Sequence, residues 1–154
     1  MNPLERLEAM GLSLPAVARP VGAYVPAVRV GDQVVTSGQL PMRDGQLIWS
    51  GKIPRDVSVE QGQEAARVAA LNALAAAASV GGGLESIIRI VRVNVFVNSA
   101  DGFTDQPKIA NGASDLLVEI LGENGRHTRA AVGVAELPLN ASVELDLIVQ
   151  VKSA

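Results

Sequence analysis

At 154 residues, with 48% hydrophobic content and no cysteine, the chain is sized for one domain with a substantial core and offers no disulfide, thiol nucleophile or zinc–thiolate site. A net charge of −3 and only four aromatic residues (Tyr24, Trp49, Phe96 and Phe103) leave little basic surface or stacking platform, so nucleic acid is not an expected partner. The chain has no basic segment, apolar run and small-residue cleavage site of a secretory signal. Its apolar stretches are shorter than the roughly 20 residues of a membrane span, so the expectation is a cytoplasmic protein without a membrane partner.

Asn2-Pro3 followed by Leu4, Leu7 and Met10 predicts a short surface helix that stops at Gly11. Residues 12–20, with Pro15 and Pro20, form an extended connector, and residues 1–20 together are an extension to a single domain over 21–154. An extended run from Val21 to Val30 leads to a turn at Gly31-Asp32, then to a strand over Gln33 to Gln39 that ends in Ser37-Gly38-Gln39-Leu40-Pro41. Arg43-Asp44-Gly45 turns the chain before a short strand at 46–50.

Ser58-Val59-Glu60-Gln61 is a capping box, and the alanine-rich run to about Ser79 predicts a long helix able to lie close on a sheet. Gly81-Gly82-Gly83 follows that helix; phosphate loops precede a helix, so the triplet is read as a stop. Residues 86–98 alternate as a strand whose odd-numbered side, Ile87 to Val97, faces helices. Thr104 or Asp105 then caps a second helix, which buries Ile109, Ala113, Leu116, Leu117, Ile120 and Leu121 and closes at Gly122.

Residues 126–151 read as two strands joined at Pro138-Leu139-Asn140-Ala141 into a final hairpin. In this reading Ala130, Val132 and Val134 share the apolar side with Val143, Leu145, Leu147, Val149 and Val151. The other side is small residues punctuated by Arg129, Glu144 and Asp146. A turn centred between Leu139 and Asn140 sets Glu144 opposite Ala135, with Arg129 roughly 20 Å away at about 3.3 Å per residue. A small ligand touching both requires two subunits. The fold class is α+β, a mixed and mainly antiparallel sheet with two main helices on one face.

His127 is the only histidine, and neither a Walker loop nor a dinucleotide glycine fingerprint is present, so no metal or nucleotide cofactor is expected. Arg129 carries a planar fork suited to a carboxylate, or to a structural ion pair at an interface. Glu144 suits a general base that positions water, or again an ion pair. His127 stands two residues before Arg129, on the same face if the strand begins that early, and is either a catalytic group or a solvated strand end.

Four segments resemble the Rid family of reactive intermediate deaminases, also called YjgF-like or L-PSP proteins. They are Gly22-Ala23-Tyr24-Val25-Pro26-Ala27-Val28, Thr36-Ser37-Gly38-Gln39-Leu40-Pro41, Val93-Asn94-Val95-Phe96-Val97, and Arg129 through Leu137-Pro138 to Val143-Glu144. The resemblance implies a homotrimer of chorismate-mutase-like subunits with sites in the intersubunit clefts. It implies hydrolysis of 2-imino or 2-enamino acids to 2-keto acids and ammonia, without a cofactor. The alternative is non-catalytic binding or sensing of a small carboxylate. Carried over, Arg129 matches the arginine that grips the carboxylate and Glu144 the glutamate that holds the attacking water. Tyr24, Ser37, Gly38 and Asn111 match pocket positions, and Ala131 stands where many relatives have cysteine. Ala23 replaces the proline of the usual Gly-Pro-Tyr, and with the extension over 1–20 this marks a longer branch. The family's older ribonuclease and translation-inhibitor labels find little support in an acidic, aromatic-poor chain.

Overall fold

The computed structural model describes residues 1–20 and 22–154, so Val21, the first residue of the expected extended run, lies outside the described residues. Helix α1 (Pro3–Ala9) is capped reciprocally, the Asn2 side chain accepting from the Glu5 amide and the Glu5 carboxylate accepting from the Asn2 amide. Leu7 buries fully beneath it, while Leu12, Leu14 and Val17 of the irregular stretch that follows pack against the core. Strands β1 (Ala27–Val30) and β2 (Gln33–Thr36) form a hairpin about Gly31-Asp32. Strands β3 (Met42–Arg43) and β4 (Gln46–Leu47) make a separate two-stranded ribbon, so the strand expected at 46–50 is only two residues long.

Helix α2 (Val59–Gly81) begins in the expected capping box, Ser58 Oγ accepting from the Gln61 amide and Gln61 Oε1 from the Ser58 amide. It ends where Gly82 turns left-handed, at φ 95°. Helix α3 (Gln106–Leu121) starts after Asp105, which makes no side-chain capping bond, and a short 3-10 turn (Gly122–Gly125) follows. No helix among the described residues is long and apolar enough to cross a membrane.

The main sheet has the order β1-β2-β7-β5-β6, where β5 is Ile87–Asn98, β6 is Thr128–Val134 and β7 is Val143–Val151. All neighbours are antiparallel except β5 and β6. Buried residues of β5 and β7, among them Val93, Val95, Val97, Leu145 and Leu147, share a core with the alanine side of α2 and the apolar side of α3. The result is an α+β sheet with its two main helices on one face.

Three expectations about the strands are corrected. The last two strands are not a hairpin, because β5 lies between them and Pro138-Leu139-Asn140 carries the chain across the end of β5. The faces also differ from the pattern reading. Arg129 is level with Val93 and Leu147, and Ala131 with Val95 and Leu145, so the side bearing Arg129 turns toward the helices. Ala130 and Val132 instead share the uncovered face with Asp146 and Glu144. Within β5, irregularities between Ile87 and Arg89 and between Ile90 and Arg92 shift the alternation. Ile90, not Arg89 or Val91, therefore joins Ile87 and Val93 in the core.

Close approach of α2 and α3 depends on glycine. A methyl group at Gly112 would collide with the backbone carbonyl of Gln63, which cannot swing away as a side chain does. Gly→Ala inside an exposed helix stabilises by roughly 1 kcal/mol, but Gly112→Ala should destabilise by about 1–3 kcal/mol, the scale of overpacking. Urea unfolding measures this, and a gain in stability would contradict the crossing described here.

Candidate active site

The chemistry-bearing residues fall into two groups on opposite faces of one sheet. The first is built around Glu144. It sits in β7 beside Phe96 on the uncovered face, and Gln39 exchanges backbone hydrogen bonds with Leu145 (2.7 and 3.0 Å), drawing the 37–40 segment against it. Gly38 passes so close that a Cβ there would strike the Glu144 carboxylate. The lack of a side chain is what admits the carboxylate. Ser37 is fixed through its amide to Pro26 O (2.8 Å) and through its hydroxyl to Val25 O. Tyr24, half-exposed, lines a cavity of about 200 Å³ with Gly38, Leu40 and Leu139.

Glu144 is half-buried and its carboxylate makes no hydrogen bond among the described residues. Burial pushes its carboxyl above the ordinary range, and the negative charge of Asp146, two residues along the same face, pushes it further. Asp146 is held by Asn94 Nδ2 (2.8 Å), whose Oδ1 in turn accepts from Arg92 Nε (3.0 Å).

The second group lies where β6 meets α3. Arg129 Nη1 donates to Asn111 Oδ1 (2.8 Å) and to Ser114 Oγ (3.1 Å), two residues one helical turn apart on α3. Ala131 follows on the same side of β6 and packs against the core. Among the described residues Nε and Nη2 of Arg129 have no partner, which leaves one edge of the guanidinium available as a two-toothed donor. His127, which precedes the first residue of β6, also reaches Ser114 (2.8 Å). Ser114 was not among the residues singled out from sequence. Its signal is the Asn111/Ser114 spacing on a helix side otherwise filled by Ala110, Ala113 and Leu117.

Within one chain the two groups do not meet. Arg129 and Glu144 stand three residues apart along the strands and two strands apart across them, roughly 14 Å between Cα atoms by ordinary sheet spacings, with side chains on opposite faces. The roughly 20 Å expected along a hairpin is thus corrected to roughly 14 Å across the sheet, because the hairpin register behind it is replaced by this one.

Residues 4–151 match the family model described as "YjgF/chorismate mutase-like, putative endoribonuclease". The chain belongs to the YjgF family. It is 44% identical to Protein TCP17 of Trypanosoma cruzi over 96% of this chain and 92% of that one. It is 32% identical to the 2-iminobutanoate/2-iminopropanoate deaminase of Dermatophagoides farinae, over 92% and 95%. Among solved structures it resembles Escherichia coli TdcF with bound serine, at TM-score 0.64 and 28% identity over 92% of this chain and 96% of that one. The YjgF-like fold thus accounts for the sheet order and the placement of both helices.

The Glu144 environment makes a direct prediction. Asp146→Asn removes the neighbouring negative charge, so the Glu144 carboxyl should titrate at lower pH than in the wild type, though still above an ordinary glutamate because its burial remains. A carbon-detected NMR titration follows this single group; an unchanged midpoint would show that Asp146 does not act on it.

Proposed function

We propose that the protein hydrolyses small 2-imino or 2-enamino acids to 2-keto acids and ammonia, in clefts where Arg129 of one copy faces Glu144 of another. The observation that carries this reading is the division just described. A carboxylate donor edge and an unpartnered, raised-pKa carboxylate occupy opposite faces of one sheet, so each is half of a site. The match to a relative named as an imine deaminase supports the reaction class.

In this mechanism the substrate carboxylate lies on the Nε–Nη2 edge of Arg129, with Asn111 and Ser114 holding the guanidinium from the other side. Glu144, in its ionised form, accepts a proton from water as the water oxygen bonds to the C=N carbon. That proton then passes to nitrogen to give the carbinolamine, and the remaining hydroxyl proton follows it to nitrogen by way of Glu144 as C=O forms and the C–N bond breaks, releasing ammonia and a 2-keto acid. A carboxylate with a raised pKa is a stronger base for the first step, provided it is ionised at the working pH. Tyr24, Ser37, Gly38 and Ala131 shape the remaining walls, and the small cavity beside Gly38 suits a short side chain. No cofactor enters the scheme.

The assembly proposed is a cyclic homotrimer. Its support is the uncovered sheet face, on which Val28, Val30, Val35 and Val132 are between 38% and 68% exposed. Such a sheet face in a chain of this size calls for a partner surface. Arg129 alone would also serve non-catalytic binding of a small carboxylate, a second reading favoured by the relative solved with bound serine.

The two readings separate in a threonine dehydratase reaction run with semicarbazide as the imine trap. Hydrolysis predicts less trapped imine when the protein is added, and full trapping with Arg129→Ala. Unchanged trapping together with calorimetric binding of 2-oxobutanoate would support binding alone.

A further inference from the structure

We propose that His127 is a positioning residue for Arg129, acting through the Ser114 hydroxyl. The proposal rests on Arg129 being the carboxylate donor described above, and it gives a role to the one histidine of the chain.

Hydrogen-bond direction decides which ring nitrogen of His127 carries the hydrogen. His127 Nδ1 lies 2.6 Å from the carbonyl oxygen of Gly125, and a carbonyl only accepts, so Nδ1 carries the hydrogen. In the neutral ring Nε2 is then an acceptor, and the group 2.8 Å away is Ser114 Oγ. Ser114 has one hydrogen and gives it to His127. Its lone pairs are left for Arg129 Nη1, 3.1 Å away on the other side. The chain runs in one direction, Arg129 Nη1 to Ser114 to His127 to Gly125, with a donor facing an acceptor at each link.

The far end of that chain is fixed. Gly125 is buried against the backbone of Leu117, where a Cβ would collide with the Leu117 carbonyl, so the acceptor for His127 is tied to α3 itself. At the near end, Ser114 and Asn111 take both hydrogens of Nη1, which fixes the guanidinium plane and leaves the Nε–Nη2 edge without a partner among the described residues. Without His127, the Ser114 hydroxyl rotor is undetermined and one of the two bonds holding Nη1 loses its orientation. Protonating His127 has a related effect: Nε2 would then donate to Ser114 and place a second positive charge beside Arg129.

The surroundings favour the neutral ring. Burial lowers the imidazole pKa, the Gly125 bond opposes this, and the Arg129 charge lowers it further. Other charged groups around the ring are Asp115 and Glu119 of α3, Arg126 just before β6, and Arg89 of β5.

The test uses the fact that a single histidine gives unambiguous ring nitrogen resonances. The wild type should show the Nδ1–H tautomer and a midpoint below that of an ordinary histidine, and Arg129→Gln should raise that midpoint. Calorimetry with 2-oxobutanoate, which needs no turnover, should show binding weakened about 3- to 10-fold in His127→Ala and Ser114→Ala, the range of one net hydrogen bond. His127→Gln, which keeps an uncharged donor and acceptor, should restore much of it, with KM and not kcat following the same order. An Nε2–H tautomer, or binding unchanged in both alanine variants, overturns the proposal. Failure of the wild type to bind any 2-keto acid overturns the carboxylate reading instead, and the relay is then upheld or overturned by the tautomer and the Arg129-dependent midpoint.

Discussion

The parallel pairing of β6 with the edge of β5 is the constraint on which both halves of the site depend. It puts Arg129 level with Val93, whose side chain is buried toward the helices, and so directs the guanidinium onto α3 and its Asn111/Ser114 pair. The antiparallel pairing of β7 on the other edge of β5 puts Glu144 level with Phe96, facing away from the helices. A hairpin between β6 and β7 would instead have set Glu144 opposite Ala135, roughly 20 Å along the strands from Arg129. With β5 inserted, the long strand separates the two functional groups by one layer of backbone and by opposite side-chain directions.

Much of this was legible in the sequence because it is local. Helices α1 and α2 carry reciprocal caps that two side chains and two amides decide among themselves, and α3 carries a strong apolar periodicity closed by glycine. The connection of β6 to β7 is not local. Pro138-Leu139-Asn140 can turn a chain back on its neighbour or carry it past one strand, and the choice belongs to β5, which has apolar residues enough to pair on both edges. The facing of β6 escaped for a related reason. Alternation correctly grouped Arg129 with Ala131 and Gly133, but apolarity pointed to the valine side as the buried one. The small side turns toward α3 and its approach, where the Gln106 and Ser99 side chains lie close to Gly133 and a larger residue would have to displace them. Val132, 46% exposed, is left on the face without helices.

The residues that make up the candidate site were legible mainly through family resemblance, and the structure distributes them rather than gathering them. Tyr24, Ser37, Gly38 and Glu144 collect on one side, Asn111, Arg129 and Ala131 on the other, with Ser114 and His127 behind the arginine. The electrostatics of the halves differ accordingly. The arginine is tied to neutral acceptors that orient it without cancelling its charge, whereas the glutamate is flanked by a second carboxylate and partly desolvated. One half is arranged to attract an anion, and the other to hold a base. The proposed activity draws on both, which makes association of copies a condition of it.

The most direct measurement of that shared site mixes two inactive variants. Arg129→Ala and Glu144→Ala, each without activity as a pure assembly, are unfolded together and reassembled in equal amounts. In a cyclic trimer with random assembly, about a quarter of the clefts join an intact Arg129 to an intact Glu144, and imine hydrolysis should return to about that fraction of the wild-type rate. Mixed assemblies that form, as shown by mass spectrometry, yet recover no activity would contradict a site divided between copies.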